Sequence, residues 1–213
     1  MKKFMRGLMN FLLGFLIFQL IFRLFRRNVH FPAPPVFTKL LNSRWRARIT
    51  PANVILERSR VTSGKKVLEV GCGGGFLLPT AAERVGESGR VYGLDISEDM
   101  LRISEDYVAK EAPLVAGRVE LKHNNAYDLP FADESLDVVY FCGALMEIPD
   151  PLRALGEAFR VLHSGGTVSV TELLPDPDYP GMHVSARVLK QAGFKIVDLS
   201  GNFFNYTVTG VKL

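Results

Sequence analysis

A chain of 213 residues that is 47 % hydrophobic, with only two cysteines, can bury one full core, excludes a disulfide-built scaffold and fits a reducing compartment. Its net charge of +4 hides a division: residues 1–60 hold 12 Lys and Arg against one acid, Glu57, for a net of +11, whereas the remainder carries 14 basic and 21 acidic residues for a net of −7. An acidic domain therefore follows a strongly basic arm, with no internal repeat and no low-complexity tract.

The arm opens Met1-Lys2-Lys3-Phe4-Met5-Arg6, runs without a charge from Gly7 to Phe22, and closes on Arg23, Arg26 and Arg27. As a helix this uncharged run would be about 24 Å long against a hydrocarbon core of about 30 Å. Snorkelling arginines extend its reach, so a short spanning helix and a tilted interfacial one both fit. A cleavable signal peptide fits less well, because no small-residue cleavage site follows the apolar run. Residues 1–27 are therefore expected to be a hydrophobic membrane-anchoring helix, apolar enough to pair with copies of itself.

Residues 28–63 read as a basic amphipathic linker. The break His30-Phe31-Pro32-Ala33-Pro34-Pro35 is followed by Val36, Phe37, Leu40, Leu41 and Trp45 at helical spacing, with Lys39, Arg44, Arg46 and Arg48 around them, the pattern of a helix lying on a surface. Thr50-Pro51 is a cap and first-turn pair for a third helix to about Arg60. Basic residues beside an apolar segment favour the cytoplasmic side and attract anionic headgroups. Membrane lipids are thus the expected partners, with the acidic domain on the cytoplasmic side of a membrane. Nucleic acid is not expected, because aromatic residues do not interleave with the basic ones over most of the arm.

Val67-Leu68-Glu69-Val70-Gly71-Cys72-Gly73-Gly74-Gly75-Phe76 reads as a buried strand emptying into a glycine turn and then a helix, which leaves room for a nucleotide against bare amides. The spacing is G-x-G-x-G; the dinucleotide fingerprint would need glycine where Phe76 or Leu78 stands. Glu69, at the end of the strand, would repel a pyrophosphate and welcome a cation. The next strand, Arg90-Val91-Tyr92-Gly93-Leu94-Asp95-Ile96, ends in Asp95, which can accept from two ribose hydroxyls or merely cap the helix that follows. Asn124-Asn125-Ala126-Tyr127-Asp128-Leu129-Pro130-Phe131, Ser135-Leu136-Asp137-Val138-Val139-Tyr140-Phe141 and Arg160-Val161-Leu162-His163-Ser164-Gly165-Gly166-Thr167 follow in order.

Strands are predicted near residues 66–71, 90–95, 118–123, 136–142, 166–172, 194–199 and 203–211, with helices between most of them. The alternation gives an α/β fold with a mostly parallel seven-stranded sheet. Its last strand follows its predecessor too closely for a crossover and must be antiparallel. Pro175, Pro177 and Pro180 lie in the short segment from Leu173 to Ala192, which leaves little room for a substrate-binding insertion there. Cys72 and Cys142 are too far apart for a metal pattern and read as small wall residues.

These segments in this order resemble the class I S-adenosylmethionine-dependent methyltransferases, over roughly residues 64 to 200. The resemblance implies a Rossmann-like domain at residues 64–213 with S-adenosylmethionine as cofactor and S-adenosylhomocysteine as product. It implies that Gly71, Cys72, Gly73 and Gly75 hold the methionine end, Glu69 faces its amino group, Asp95 binds ribose and Ile96 packs on adenine. Asn125, where the family commonly has Asp, would accept from the adenine amino group or simply shape a turn. The Ala126 backbone would meet a ring nitrogen, and Cys142 would line the wall.

Where many members of the family carry histidines this chain has Met146 and Glu147. Positioning and desolvation can carry a methyl transfer without a dedicated base; if the acceptor must lose a proton, Glu147, His30, His183 and Tyr179 are the candidates. The expectation is a membrane-anchored methyltransferase acting on a lipid or other amphiphilic acceptor, of the phospholipid headgroup amine or isoprenoid quinone type. A soluble small molecule, a membrane-protein side chain, or a non-catalytic cofactor-binding scaffold are the alternatives.

Overall fold

Lys66–Val70 forms strand β1 near the middle of a seven-stranded sheet. Val67 enters one hydrophobic cluster and Leu68 and Val70 the other, as a parallel strand covered on both faces requires. The computed structural model describes residues 50–174 and 179–213, with Gly7, Met9 and Gly14 before them. From residue 50 onward the elements run α1 (Ala52–Arg58), β1, α2 (Leu78–Val85), β2 (Arg90–Asp95), α3 (Glu98–Glu111), β3 (Val119–His123), β4 (Leu136–Cys142), α4 (Pro151–Val161), β5 (Leu162–Leu173), α5 (Met182–Gln191), β6 (Lys195–Gly201) and β7 (Asn205–Val211).

The sheet order is β3-β2-β1-β4-β5-β7-β6. The first five are parallel, and β7 runs antiparallel between β5 and β6. The order reverses between β1 and β4, and the crevice beyond the carboxyl ends of these strands is where a doubly wound sheet binds its ligand. Ile55, Leu56, Leu78, Ala81, Ala82, Val85 and Leu101 of the first three helices cover one face; Leu155, Ala158, Val161 and Leu189 of α4 and α5 cover the other. Helix starts follow local chemistry. Ser97 accepts the Met100 amide (3.3 Å) ahead of an acidic first turn in α3, and Asp150 accepts that of Arg153 (3.1 Å) before Pro151 in α4.

All strands but β5 fall within two residues of their expected bounds, and two elements differ in ways that bear on the sheet. β5 begins four residues early, straight out of α4, because Leu162 already pairs with Leu136; a register shift between Leu136 and Val138 then absorbs the turn at Gly165, whose φ is +83°. The helix expected from Thr50-Pro51 is shorter, with Pro51 at the N-cap and no side-chain capping bond. It is nonetheless knitted into the sheet: Arg58 Nη1 donates to Asn205 Oδ1 (3.1 Å), and the Arg58 carbonyl accepts from Thr209 Oγ1 (2.9 Å). Save for Gly7, Met9 and Gly14, the anchoring helix expected within residues 1–27 lies outside the described residues, as do His30 and the amphipathic stretch at 36–48. Among the described residues no helix is long and apolar enough to cross a membrane.

At the amino ends of the strands, Asp137 accepts from Lys65 Nζ (2.8 Å), the Lys66 amide (2.9 Å) and His163 Nε2 (3.2 Å), so one carboxylate ties β1, β4 and β5 together. Burial works against its charge, but these bonds outweigh burial and hold the carboxyl below its ordinary value. Its contribution is therefore complete above the ordinary carboxylate range and fades as pH falls through the lowered value. In urea titrations Asp137→Asn is expected to cost about 1 kcal/mol at neutral pH, with the gap to the wild type narrowing as pH falls below the ordinary carboxylate range; a gap undiminished by acid contradicts this account.

Candidate functional site

The loop leaving β1 crosses directly onto the end of β2. The amides of Gly71 and Cys72 both donate to the Leu94 carbonyl (2.8 and 3.0 Å). The Gly73 amide donates to Asp95 Oδ2 (2.8 Å), while Asp95 Oδ1 accepts from the Ser97 amide (2.9 Å). One buried carboxylate thus joins the glycine loop to the N-terminus of α3. Two glycines here cannot be replaced freely. A Cβ on Gly71 would stand 2.6 Å from Ala144 Cβ, and one on Gly75 2.3 Å from Ser104 Oγ, both at positive φ. A Cβ on Gly73 would meet nothing within 4 Å, so the loop faces open space at that point.

Glu69 is 3 % exposed and lies beneath the loop, its Oε2 accepting from Tyr140 Oη at 3.2 Å. Burial first, then the charges of Glu69 and Asp95, push the Cys72 thiol well above its ordinary value, so Cys72 remains a neutral wall residue rather than a nucleophile. Cys142, half-buried at the end of β4, leads into Gly143, whose amide donates to the Thr171 carbonyl (2.9 Å). Among the described residues no cluster of three or more His, Cys, Asp or Glu could hold a metal ion.

Ile96 follows Asp95 with 57 % of its surface exposed beside the crevice. Asn125 lies on the 124–131 loop after β3, and its side-chain oxygen accepts the Tyr127 amide (2.9 Å) in a local turn. The turn role and the ligand role therefore fall on the same atom, which keeps a second lone pair. Ala126, half-buried, packs against the core cluster under α4. Glu147 occupies a single turn of 3₁₀-helix, Leu145–Glu147, three residues after the Ala144 that abuts Gly71. Tyr179 donates its hydroxyl to the Phe203 carbonyl (2.7 Å), and His183 is exposed on the first turn of α5.

Three contributors are not evident from motifs. Tyr140 is one. Tyr127 is the second: its hydroxyl accepts the Asp150 amide (2.8 Å) and Arg153 sits over its ring at 4.7 Å. The third is Arg160, whose guanidinium donates to the carbonyls of Leu129 (2.9 Å) and Phe131 (2.8 Å), to Asp133 (2.7 Å) and to Glu157 (2.7 Å). Glu157 in turn accepts the Leu129 amide (2.9 Å). The bond from Arg160 outweighs partial burial and holds the Glu157 carboxyl below its ordinary value. This fork fixes the far end of the loop that carries Asn125 and Ala126. The Arg160–Thr167 segment carried a signal for it, but not the identity of its partners.

The family described as a methyltransferase domain matches residues 68–170. The demethylmenaquinone methyltransferase of Geobacillus sp. (strain WCH70) is 42 % identical over 117 residues, 55 % of this chain and 49 % of that protein. The protein of the same name from Listeria welshimeri is 38 % identical over 141 residues, 66 % of this chain and 56 % of its own length. The chain thus spans about half the length of these relatives. Among solved structures, a SAM dependent methyltransferase from Aquifex aeolicus superposes with a TM-score of 0.78 at 24 % identity, over 85 % of this chain and all of that one, a likeness of fold.

Arg160→Lys keeps the charge but cannot fork between two carbonyls and two carboxylates. It is expected to cost about 2 kcal/mol of stability and to speed hydrogen exchange at the Leu129 and Phe131 amides well beyond that of the β1 amides. Equal protection of both regions in wild type and variant would contradict the clamp.

Proposed function

The chain carries a class I, S-adenosylmethionine-dependent methyltransferase domain, and from that premise we propose that it transfers the cofactor's methyl group to an amphiphilic acceptor of the isoprenoid quinone type. The observation that carries the cofactor half is the acidic glycine cradle: an opening above Gly73, flanked by the Asp95 and Glu69 carboxylates. It fits a ligand with ribose hydroxyls at one end and cationic sulfonium and ammonium groups at the other. Asp95 takes the ribose, its two oxygens each keeping a lone pair beyond the amides they already accept. Glu69 takes the ammonium, the loop amides lie along the methionine end, and Ile96, Asn125 and Ala126 border the adenine.

When bound, S-adenosylmethionine supplies a sulfonium methyl to an acceptor nucleophile and departs as neutral S-adenosylhomocysteine. The protein's share is to orient the acceptor and exclude water. An acceptor that must shed a proton meets Glu147, the base candidate tied most directly to the glycine loop through Ala144 and Gly71.

The acceptor half rests on the names of the relatives and on an aromatic turn at the same edge of the sheet. Between β6 and β7, Phe203 and Phe204 are 71 % and 63 % exposed, with Tyr179 edge-on to Phe203 at 6.4 Å. Asn202 Oδ1 accepts the Phe204 and Asn205 amides (2.8 and 3.2 Å) and holds the turn rigid. Asn205 pairs with Leu173, two residues beyond the Thr171 that pairs with Cys142. Strand spacing and rise put the turn roughly 12 Å from Cys142, within reach of an apolar chain whose head lies over the glycine loop. The basic arm, net +11 over residues 1–60, would bring the domain to a membrane's cytoplasmic face, where such acceptors reside.

The test is methyl-labelled S-adenosylmethionine with the full-length chain and membranes, followed by organic extraction and protease digestion. Label is expected in the organic phase and absent with Asp95→Ala, which should also abolish cofactor binding in calorimetry; label released by protease instead would make the acceptor a protein. Phe203→Ser with Phe204→Ser should raise KM for a prenylated quinone about tenfold without changing cofactor affinity, and an unchanged KM rules out the turn as the chain's resting place.

A further inference from the structure

Tyr140 poses a question of its own. It is the register partner of Glu69 on the adjacent strand, its side chain is fully buried, and it lies in the cluster formed by Val67, Leu78, Ala81 and Val138. Phenylalanine would fill that space without burying a hydroxyl, and a buried hydroxyl without a partner is costly. The residue that pairs with Tyr140 on its other side, Ser169, gives its own hydroxyl to Ser59 (2.7 Å). The phenol turns instead to Glu69 Oε2 at 3.2 Å.

Burial, then the charge of Glu69 and the hydrogen bond to it, push the Tyr140 phenol well above its ordinary value. The group is thus a permanent donor. A carboxylate at the end of a strand has rotamers to choose among, and a donor fixed by a neighbouring strand restricts that choice before any ligand arrives.

We propose that Tyr140 is a positioning residue for the cofactor's amino-acid end: by donating to Glu69 Oε2 it fixes the carboxylate that receives the ammonium group. The role rests on the reading above that Glu69 faces that group. It predicts an effect on discrimination between ligands rather than on adenosine binding, since Asp95, Ile96 and Asn125 lie along a different part of the ligand.

Calorimetry with S-adenosylmethionine, S-adenosylhomocysteine and 5′-methylthioadenosine, which lacks the amino-acid end, tests this. Tyr140→Phe is expected to weaken the first two about tenfold and the third less than about twofold. In a Glu69→Gln background, adding Tyr140→Phe should change little, because the charge that would receive the ammonium group is already gone. Equal weakening of all three ligands, no weakening of any, or full additivity with Glu69→Gln overturns the role. If the wild type binds S-adenosylmethionine no more tightly than methylthioadenosine, the assignment of Glu69 itself falls. Wild-type discrimination that survives in Tyr140→Phe overturns the role of Tyr140 alone.

Discussion

The crevice of this domain hangs on a single carboxylate. Asp95 accepts the Gly73 amide with one oxygen and the Ser97 amide with the other, so the turn after β1 and the entry to α3 share one acceptor. Without it the Gly73 amide would lose its acceptor, and an unpaired amide at a buried loop is expensive. The residue proposed to meet the ligand's ribose is also the one that shapes the glycine loop. Binding and local architecture are in that sense one interaction.

Charge gives the site its preference for a cation. Glu69 and Asp95 are both nearly buried, and after burial itself their charges are what push the neighbouring Cys72 thiol above its ordinary value. A sulfonium ion with an ammonium group at its far end is favoured in such a field, while its uncharged thioether product gives up part of that attraction. Opposite logic governs the 124–131 loop, where the cation is structural: Arg160 neutralises Glu157 and Asp133 and directs its remaining donors to carbonyls.

What could be read from the chain was local. Gly71, Gly73, Gly75 and Asp95 declare themselves because a turn, a close approach and a strand end are properties of neighbouring residues, and the reversed last strand follows from the shortness of its connection. Tyr140 and Glu69 stand 71 positions apart, and their meeting depends on the register between β1 and β4, which no spacing rule encodes. Asn125 shows the converse: both of its readings, turn and ligand, are legible, and the hydrogen bond to Tyr127 engages the first while leaving room for the second. The early start of β5 escaped because the His163–Gly166 turn looks like a loop, although Leu162 is already paired before it.

The placement of β7 bears on how the domain comes together. β6 precedes it in the chain yet among the described residues has no strand neighbour except β7, which must slot between β5 and β6. Until it does, β5 presents an open edge whose residues Val168, Val170 and Thr171 are buried in the finished fold. A lone two-stranded hairpin has little stability of its own, so β6 and β7 gain theirs by docking as a pair onto that edge. An unsatisfied edge of this kind accepts any hairpin of matching register. A crowded solution of nascent chains would therefore risk trading hairpins between molecules unless docking within one chain came first.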